Sequence, residues 1–417
     1  MKFKFLAALL LWTIPALADQ HEARLQKDIA ERVERLYGFY KDLHMNPELS
    51  GEEKRTASKV AAAWKKIGLE VTEKVGGHGV VGVLKNGPGP VTMLRAEMDA
   101  LPVKEETGVS FASKRSGVMH ACGHDLHLTN LLGVAQWLVE NKKLWTGTLV
   151  FVAQPAEENL RGAKAMIQDG LFTRFPKPSV ALAAHTFGDK KSGSVLYRPG
   201  PAFASSDSGD VEIFGKGGHG AFPHNAIDPF IISSEFILKL QTLLGRETDP
   251  LQSKVISVGS VQGGTKHNII PPSVKIQITL RTFDEDLREQ LKKRIVELAE
   301  GIATTNKAPK PTVDYIQGTP PVVNDEKLMT KMKSAFVGAL GDNRVEEIPP
   351  MMSSEDFAYY GRMGGFPTAF YLLGVRDPKS EGPFYFNHHP KFLPAYHQTV
   401  ETGMLSMIAA VLSLNKP

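Results

Sequence analysis

The stretch TLVFVAQPAEE, residues 148–158, indicates the fold class, because an apolar run at 149–153 is followed within four residues by the first of two carboxylates. Strands of a parallel sheet are buried on both faces and carry such apolar runs. Two further stretches have the same form, VTMLRAEMDA at 91–100 and SVALAAHTF at 179–187. Amphipathic helical patterns separate the three stretches. This alternation predicts an α/β domain with a mostly parallel sheet and helices on both faces.

Apolar residues at helical spacing predict the helices of this domain. One helix covers 29–43, and the next begins at a capping box formed by Ser50 and Glu53. Further helices are predicted at about 126–141, near 161–169 and at about 398–414. We expect the last of these to pack on the first domain.

From about Gly209 the order of predicted elements changes to strand, helix, strand, strand, helix, strand. The strands are predicted at 210–216, 255–261, 274–283 and 312–317, with one helix starting near Asp228 and another carrying apolar residues from Leu287 to Ile302. This order is typical of a ferredoxin-like unit. We therefore predict an inserted domain at 206–320 between two parts of the first domain, 19–205 and 321–417.

Length and composition fit a folded protein of two domains. The 417 residues exceed what a single hydrophobic core usually organises. The 42% hydrophobic and 23% charged residues give no sign of a long disordered segment. The net charge of +4 is small, and no run of Lys and Arg is interleaved with aromatic residues. The sequence therefore gives no case for a nucleic-acid partner.

Residues 1–18 have the pattern of a secretory signal peptide. Lys2 and Lys4 precede an apolar run from Phe5 to Leu17, which ends in the small-residue site at 16–18. A short membrane anchor is the alternative, but the run is shorter than the roughly 20 residues that a membrane span needs. We predict cleavage after Ala18 and a secreted or periplasmic protein without a membrane span.

Polar side chains end or follow three predicted strands, and others precede a predicted helix. In an open α/β sheet, ligands bind at the carboxyl ends of the strands. The residues expected at this edge are Glu97, Asp99, Cys122, His124, Glu157, Glu158 and His185. Crowded carboxylates repel one another or take up protons unless a cation lies among them. The pattern therefore predicts a metal site.

Cys122 is the only cysteine, so it has no internal disulfide partner. It stands two residues before His124, and in an extended segment both side chains point to the same side. Thiolate, imidazole and carboxylate ligands together suit zinc, cobalt, nickel or manganese better than calcium or magnesium. The alternatives are a buried cysteine that only packs and a Glu157-Glu158 pair that only starts a solvated helix.

The motifs SGVMHACGHDLH (116–127), QPAEE (154–158) and GKGGHGAFPHNAIDPF (215–230) resemble those of the M20 metallopeptidase family. They are most similar to its amidohydrolase branch of hippurate hydrolases, aminoacylases and auxin-conjugate hydrolases. Further matching motifs are HMNPELSGEE (44–53), LRAEMDALP (94–102), HTF (185–187), RPGPAFASSD (198–207), HNIIP (267–271), LRTF (280–283), SSEDFAYY (353–360) and HHPKF (388–392). The resemblance covers essentially all of the chain after the predicted signal peptide.

The resemblance implies a centre of two divalent metal ions, with zinc, manganese, cobalt and nickel as the candidates. By motif position the ligands are Cys122, His124, Glu158, His185 and His388, with His389 as the alternative to His388. Glu157 is implied as the general base, which takes the proton of a metal-activated water and passes it to the leaving amine. Asp99 is implied as a carboxylate that orients a ligand.

The inserted domain resembles the family's lid and dimerisation domain, which implies a homodimer. His219 matches a histidine that polarises the scissile carbonyl, from the same subunit or from its partner. Asn268 and Arg281 match positions that hold substrate, and a guanidinium binds a free α-carboxylate in bidentate fashion. Without the resemblance, the segment around His219 is a flexible turn and Arg281 is a residue on a strand surface.

Three positions depart from the family pattern. Glu97 stands where the family has Asp, SSEDF (353–357) replaces GSEDF, and LPAYHQ (393–398) follows HHPKF where acidic residues are usual. These departures leave the roles of Glu97 and Glu355 open, and they bear on substrate preference.

We therefore expect an exported, dimeric, metal-dependent amidohydrolase that cleaves the amide bond of N-acyl amino acids or related small conjugates. A carboxypeptidase or dipeptidase with the same two-metal site is the alternative, because a peptide is also an N-acyl amino acid. A non-catalytic metal- or ligand-binding export protein is more distant, because a storage site has no use for Glu157 as a base. No GxSxG or HExxH motif occurs, which argues against a serine hydrolase and an HExxH zinc protease.

Overall fold

The computed structural model describes residues 13–379 and 382–417, which form two compact units. Unit 1 comprises the described chain up to Arg198, Asp325–Ile348 and Tyr360–Pro417, and unit 2 comprises Pro199–Asn324 and Pro349–Tyr359. The predicted inserted domain, 206–320, lies inside unit 2. Unit 2 is wider at both ends and takes in a second segment that the sequence pattern does not single out. The role of this unit as a lid or dimerisation domain stays a prediction.

Helices and strands alternate through most of the described chain. The helices are α1 (Thr13–Met45), α2 (Lys54–Lys66), α3 (His124–Glu140), α4 (Gly162–Gln168), α5 (Pro229–Arg246), α6 (Glu285–Thr305), α7 (Glu326–Leu340), α8 (Ala358–Gly364) and α9 (Tyr396–Leu414), with short 3₁₀ turns at Lys142–Leu144, Pro223–Asn225 and Asp342–Arg344. The strands are β1 (Glu70–Val75), β2 (Gly79–Asn86), β3 (Val91–Glu97), β4 (Gly147–Gln154), β5 (Val180–Lys191), β6 (Val195–Tyr197), β7 (Gly200–Phe203), β8 (Ser206–Phe214), β9 (Gly218–His219), β10 (Lys254–Gly263), β11 (Ile269–Ile270), β12 (Ser273–Thr282), β13 (Thr312–Thr319), β14 (Val322–Asn324), β15 (Val345–Glu347) and β16 (Thr368–Arg376).

The sheet of unit 1 has the strand order β1-β2-β4-β3-β5-β16-β6-β15. The pairs β3/β4, β3/β5, β5/β16 and β6/β15 are parallel, and the other neighbours are antiparallel. In β4 the side chains from Leu149 to Ala153 are at most 1% exposed, so both faces of this strand are covered. The predicted α/β class with a mostly parallel central sheet is confirmed.

The sheet of unit 2 has the order β10-β12-β8-β13, and every neighbouring pair in it is antiparallel. Along the chain its elements follow as β8, α5, β10, β12, α6 and β13, which is the predicted ferredoxin-like order. Phe236 of α5 and Leu291 of α6 belong to one apolar core with Ile276 of the sheet. A separate short ribbon pairs β9 with β11.

The start of α5 is as predicted, whereas the start of α2 is not. Asp228 caps α5 by accepting from the N–H of Phe230, and Pro229 occupies the first helical position. The predicted capping box of Ser50 and Glu53 is wrong, because neither side chain caps α2. Ser50 Oγ instead donates to Asp99 Oδ2 at 2.6 Å, and Glu53 Oε1 accepts from the N–H of Ala156 at 2.8 Å. Both side chains satisfy buried polar groups in the turns after β3 and β4.

None of the described helices is both long enough and apolar enough to span a bilayer. The predicted signal peptide covers residues 1–18, of which 1–12 lie outside the described residues. Its cleavage, and with it export, stays a prediction.

A buried ionic triad ties the end of α1 to α3 and to the loop after β3. His44 Nδ1 lies 2.7 Å from Asp125 Oδ2, and His44 Nε2 lies 3.2 Å from Glu105 Oε1. Burial lowers the pKa of His44, but its hydrogen bonds to Asp125 and Glu105 outweigh burial and raise the pKa to about 9. His44 is therefore an imidazolium at neutral pH and donates to both carboxylates.

We expect this triad to make the stability of unit 1 fall as the pH rises from 6.5 towards 9. The folded-state pKa of His44 lies above its ordinary value of 6.5. Its ion pairs therefore contribute fully below pH 6.5 and are lost as the pH rises through about 9. The loss amounts to about 3 kcal/mol at most. Calorimetric unfolding midpoints should drop more over this range in the wild type than in His44→Gln.

His397→Gln is the matched control for this measurement. His397 is 53% exposed and pairs with Glu34 on the surface. Its substitution should leave the pH dependence as it is in the wild type, because exposed pairs contribute little. The same pH-dependent drop in wild type and His44→Gln would contradict the prediction.

Candidate metal centre

The ends of β3 and β4 bring the predicted carboxylates together. The two strands are parallel neighbours, with Glu97 opposite Gln154 at their ends, so the turns that follow lie side by side. The backbone N–H of Glu158 in one turn donates to Asp99 Oδ2 in the other at 2.9 Å. Helix α3 begins at the same edge of the sheet, with Cys122 just before it and His124 as its first residue.

His185 reaches this edge from within a strand. The predicted strand ends at Phe187, two residues after His185, but β5 continues to Lys191. The reason is β16, which pairs with β5 from Ala181 as far as Lys191 and places Leu372 opposite His185. The extension leaves His185 among the other candidate ligands.

The predicted metal ligands of unit 1 form one cluster. Within 4.8 Å of one another lie the ligand atoms of Cys122, His124 and His185, those of Cys122, Glu158 and His388, and those of His124, Glu157 and Glu158. Cys122 Sγ is 3.4 Å from His185 Nε2. His124 Nε2 is 3.8 Å from Glu158 Oε1 and 3.9 Å from Glu157 Oε2. Glu157 therefore lies beside the candidate ligands, about as far from His124 as Glu158 does.

Of the two adjacent histidines, His388 faces the cluster. His388 Nε2 lies 3.5 Å from Glu158 Oε2. His389 Nδ1 instead accepts from the N–H of Lys391, and its ring stacks on Tyr385 with 4.5 Å between centroids. His388 has a left-handed backbone, with φ of 71°. A non-glycine residue holds that conformation only where its surroundings enforce it.

His124 and His185 each use Nδ1 as a hydrogen-bond donor, which leaves Nε2 available to bind a metal. His124 Nδ1 donates to the carbonyl of Asp99 at 2.8 Å, and His185 Nδ1 donates to the carbonyl of Thr186 at 2.7 Å. The Nε2 atom of each ring is then free of a proton when the ring is neutral. This arrangement is typical of histidines that bind metals.

The donors fit a cation for a second reason. His124 Nε2 and Glu158 Oε1 are buried and have no hydrogen-bond partner among the described residues. Buried polar atoms without partners cost free energy unless something else satisfies them. A divalent cation would satisfy both atoms, and sulfur, nitrogen and oxygen donors together suit a borderline metal.

The protein groups by themselves hold two candidate ligands in their protonated forms. Burial, and then the carboxylates of Glu158 and Glu157, raise the pKa of the Cys122 thiol well above its ordinary value. Burial lowers the pKa of His124, but the hydrogen bond to Asp99 and the charge of Glu97 outweigh it and raise the pKa to about 10. A divalent cation reverses both effects, because it stabilises thiolate and neutral imidazole.

Strained backbone surrounds the carboxylate pair. Ala156 and Leu160, on either side of the pair, have left-handed φ values of 53° and 59°. Glu53 Oε1 holds the N–H of Ala156 at 2.8 Å. Such strain persists where surrounding contacts enforce it and is common at active sites.

The other three predicted site residues lie in unit 2. His219 is on β9, with its Nδ1 accepting from the N–H of Ala221 at 3.0 Å. The N–H of Gly220 donates to the carbonyl of Asn268 at 2.9 Å, so His219 and Asn268 are close neighbours. Their catalytic and binding roles stay predictions.

Arg281 of β12 is half-buried, and none of the carboxylates that the structure describes pairs with it. It donates from Nη1 to the carbonyl of Met352 at 3.0 Å and to Ser354 Oγ at 3.4 Å. Burial lowers the pKa of Arg281, and no carboxylate of the described residues lies within 4.0 Å to offset it. A half-buried guanidinium with spare donors is suited to an anionic ligand.

The two other histidines of the motif 116–127, His120 and His127, have surroundings unlike those of His124. His127 Nδ1 lies 2.9 Å from Glu97 Oε2, which gives this departing residue a partner. His127 Nε2 accepts from the backbone N–H of Thr186. His120 is buried, and neither of its ring nitrogens has a hydrogen-bond partner among the described residues. Sequence reasoning did not single out Thr186, although this residue lies in the HTF motif (185–187).

Comparisons with known proteins agree on one family. Residues 93–411 match the model of peptidase family M20/M25/M40. The chain is 38% identical over 358 residues to N-acetyl-L-cysteine deacetylase of Bacillus subtilis, which covers 86% of this chain and 83% of that protein. It is 39% identical over 378 residues to thermostable carboxypeptidase 2 of Saccharolobus solfataricus, covering 88% of this chain and 93% of that protein.

A solved structure agrees with these relatives. The Bacillus subtilis protein YXEP, described as a dinuclear metal binding peptidase from the M20 family, superposes with a TM-score of 0.76 at 29% identity. The match covers 93% of this chain and 99% of that one. The chain therefore belongs to peptidase family M20/M25/M40. The predicted class, a metal-dependent hydrolase of amide bonds, is confirmed, and the dinuclear relative agrees with the predicted cofactor.

Gly123→Ala should weaken metal binding. Gly123 has φ of +82°, and a Cβ there would lie 2.8 Å from Thr186 Oγ1. The loop that places Cys122 and His124 would have to shift, and we expect a loss of about tenfold or more in metal affinity. Competition with a chromophoric chelator measures that affinity.

Gly117→Ala is the control for this substitution. Gly117 has a similar φ of +74°, but no atom lies within 4 Å of a Cβ at that position. Both substitutions carry the cost of a left-handed alanine, roughly 1–2 kcal/mol. Equal metal affinities in the two variants would show that the contact with Thr186 is unimportant.

Proposed function

We propose that this protein hydrolyses the amide bond of N-acyl amino acids or related small conjugates. The observation that supports the proposal best is the position of Glu157, whose Oε2 lies 3.9 Å from His124 Nε2 beside a buried cluster of metal-ligand types. A site that only stores metal needs no carboxylate beyond its ligands. Hydrolysis does need one, because a proton must move from water to the leaving amine.

The proposed ligands are Cys122, His124, Glu158, His185 and His388, for two ions of zinc, manganese, cobalt or nickel. When bound, the ions polarise the amide carbonyl and make a water molecule more acidic. Glu157 takes the proton at its carboxylate and delivers it to the amine nitrogen of the leaving group. The backbone carbonyl of Asp99 accepts a hydrogen bond from His124 Nδ1 and so keeps the His124 ring in place.

Unit 2 is proposed to supply the remaining groups. His219 would donate to the carbonyl oxygen as negative charge develops on it. Arg281 would bind the free α-carboxylate of the amino acid, and this role is supported by its lack of a carboxylate partner within the described part of the chain. Asn268, beside His219, would hold the substrate by hydrogen bonds.

A carboxypeptidase or dipeptidase remains the second candidate. The same groups cleave a peptide bond, because a peptide is an N-acyl amino acid. The relative from Saccharolobus solfataricus, which is named a carboxypeptidase, favours this reading as much as the deacetylase from Bacillus subtilis favours the first.

Assembly and export are also proposals. We propose a homodimer formed through unit 2, whose helix α5 exposes Ile231 and Leu238, 59% and 70% accessible, on one face. We propose export on the pattern of residues 1–18, which would place the mature protein in the periplasm or outside the cell.

Chelation of the metal and the substitution Glu157→Gln should each remove hydrolysis of N-acetyl and N-benzoyl amino acids. Glutamine cannot move the proton, so we expect kcat to fall about a hundredfold to ten-thousandfold, with bound metal unchanged. Glu52→Gln is the control, since Glu52 pairs with Arg115 on the surface. Activity that survives either treatment would refute the mechanism. Turnover of dipeptides alone would favour the second candidate.

Arg281→Lys should lower kcat/KM for substrates with a free α-carboxylate. Lysine keeps the charge but loses the paired donors, and hydrogen bonds to charged groups contribute about 1.5–3 kcal/mol, or roughly tenfold to a hundredfold. The value of kcat/KM for the corresponding α-carboxamides should be the same in Arg281→Lys as in the wild type. Arg246→Lys is the control, because Arg246 is exposed at the end of α5. Equal losses on acid and amide would argue against this role for Arg281.

A further inference from the structure

Thr186 contacts the candidate metal centre through its hydroxyl and its backbone carbonyl, although it has no ligand atom of its own in the cluster. Its hydroxyl donates to the carbonyl of Cys122 at 2.7 Å. Its own carbonyl accepts from His185 Nδ1 at 2.7 Å. Thr186 is 1% exposed, so these bonds lie away from solvent. One residue therefore joins the two ligands whose Sγ and Nε2 atoms are 3.4 Å apart.

His127 holds Thr186 from the other side. The backbone N–H of Thr186 donates to His127 Nε2 at 2.8 Å, so that nitrogen carries no proton. The proton of the neutral ring is then on Nδ1, which donates to Glu97 Oε2 at 2.9 Å. Since its Nε2 is occupied by the backbone, His127 is positioned as a support and not as a ligand. Arg95 in turn pairs with Glu97, so the chain of contacts ends in a buried ion pair.

The side chain of Thr186 also packs on the loop between Cys122 and His124. A Cβ on Gly123 would lie 2.8 Å from its Oγ1 and 3.1 Å from its Cγ2. The glycine thus allows the loop to approach the strand closely. Thr186 contacts this loop at Gly123 and bonds it at Cys122.

We propose that Thr186 is a positioning residue that fixes Cys122 and His185 relative to each other, and that His127 and Glu97 fix Thr186. This inference rests on the proposed function, which assigns Cys122 and His185 as ligands. It goes beyond that function because it gives the metal site a support of Glu97, His127 and Thr186. Substitutions of such supporting groups typically cost about 10- to 100-fold in metal affinity.

Thr186→Val tests the hydroxyl alone, because valine keeps the shape, the backbone N–H and the carbonyl. We expect the affinity for Co²⁺, measured by competition with a chelator, to fall about 10- to 100-fold. The thiolate-to-cobalt charge-transfer absorption of the loaded protein should weaken or shift, since Cys122 loses its anchor. Thr186→Ser restores the hydroxyl and should recover both readouts.

Thr92→Val is the matched control. Thr92 is a buried strand residue, and its hydroxyl also donates at 2.7 Å, but to Asn415 Oδ1. Both valine variants should lose a similar free energy of unfolding, because each loses one buried hydrogen bond. Only Thr186→Val should lose Co²⁺ affinity. An unchanged affinity and spectrum in Thr186→Val would overturn the proposal.

His127→Asn tests the same support at a second point, should Thr186→Val fail to fold. Asparagine is too short to accept from the N–H of Thr186, so Co²⁺ affinity should again fall, and a wild-type value would overturn the proposal. The wild type separates this proposal from the proposed function. If the wild type shows no thiolate-to-cobalt absorption, the assignment of Cys122 as a ligand fails. If the wild type shows it and both variants match the wild type, only the role of Thr186 fails.

Discussion

Ionisable groups are buried where β3 and β4 end, and side chains from elsewhere in unit 1 pair with several of them. An unpaired buried charge costs several kcal/mol, which is a large part of a domain's stability. Arg95 pairs with Glu97, and Ser50 Oγ with the N–H of Glu158 satisfies Asp99 Oδ2. Glu53 does not cap α2. Its Oε1 accepts instead from the N–H of Ala156, in the turn before Glu157. The hydrogen bonds that these buried polar groups require therefore determine the conformation of loops that apolar packing alone would not fix.

Sequence patterns predicted the parts of the fold that depend on periodic burial. The apolar runs of β3 and β4, the helix that starts at Asp228 and the order of strands in unit 2 all follow from local regularity. The extension of β5 past Phe187 did not, because it depends on a partner strand far along the chain, β16. The capping box failed for a similar reason, since Ser50 and Glu53 have partners that the local sequence does not contain.

The candidate site was predictable in its donors and unpredictable in its supports. Cys122, His124, Glu158 and His185 have side chains whose chemistry stands out in a sequence, and the structure brings them together. Thr186 acts through a hydroxyl, a carbonyl and an N–H, groups that every chain contains in large numbers. Arg281 is notable because no carboxylate among the described residues pairs with it, and an absence of that kind has no sequence pattern. The ligand types of a metal site are therefore easier to predict from a sequence than the hydrogen bonds that position those ligands.

The strand order of unit 1 has a consequence for the order in which the protein folds. β16 lies between β5 and β6, although the whole of unit 2 intervenes in the chain before it. During synthesis β5 therefore waits, with one edge unpaired, until the residues around 368–376 have emerged. Most of unit 2 is continuous from Pro199 to Asn324 and closes on more local contacts, which form faster. His388 follows β16, so the last candidate ligand is synthesised only after every strand of the sheet.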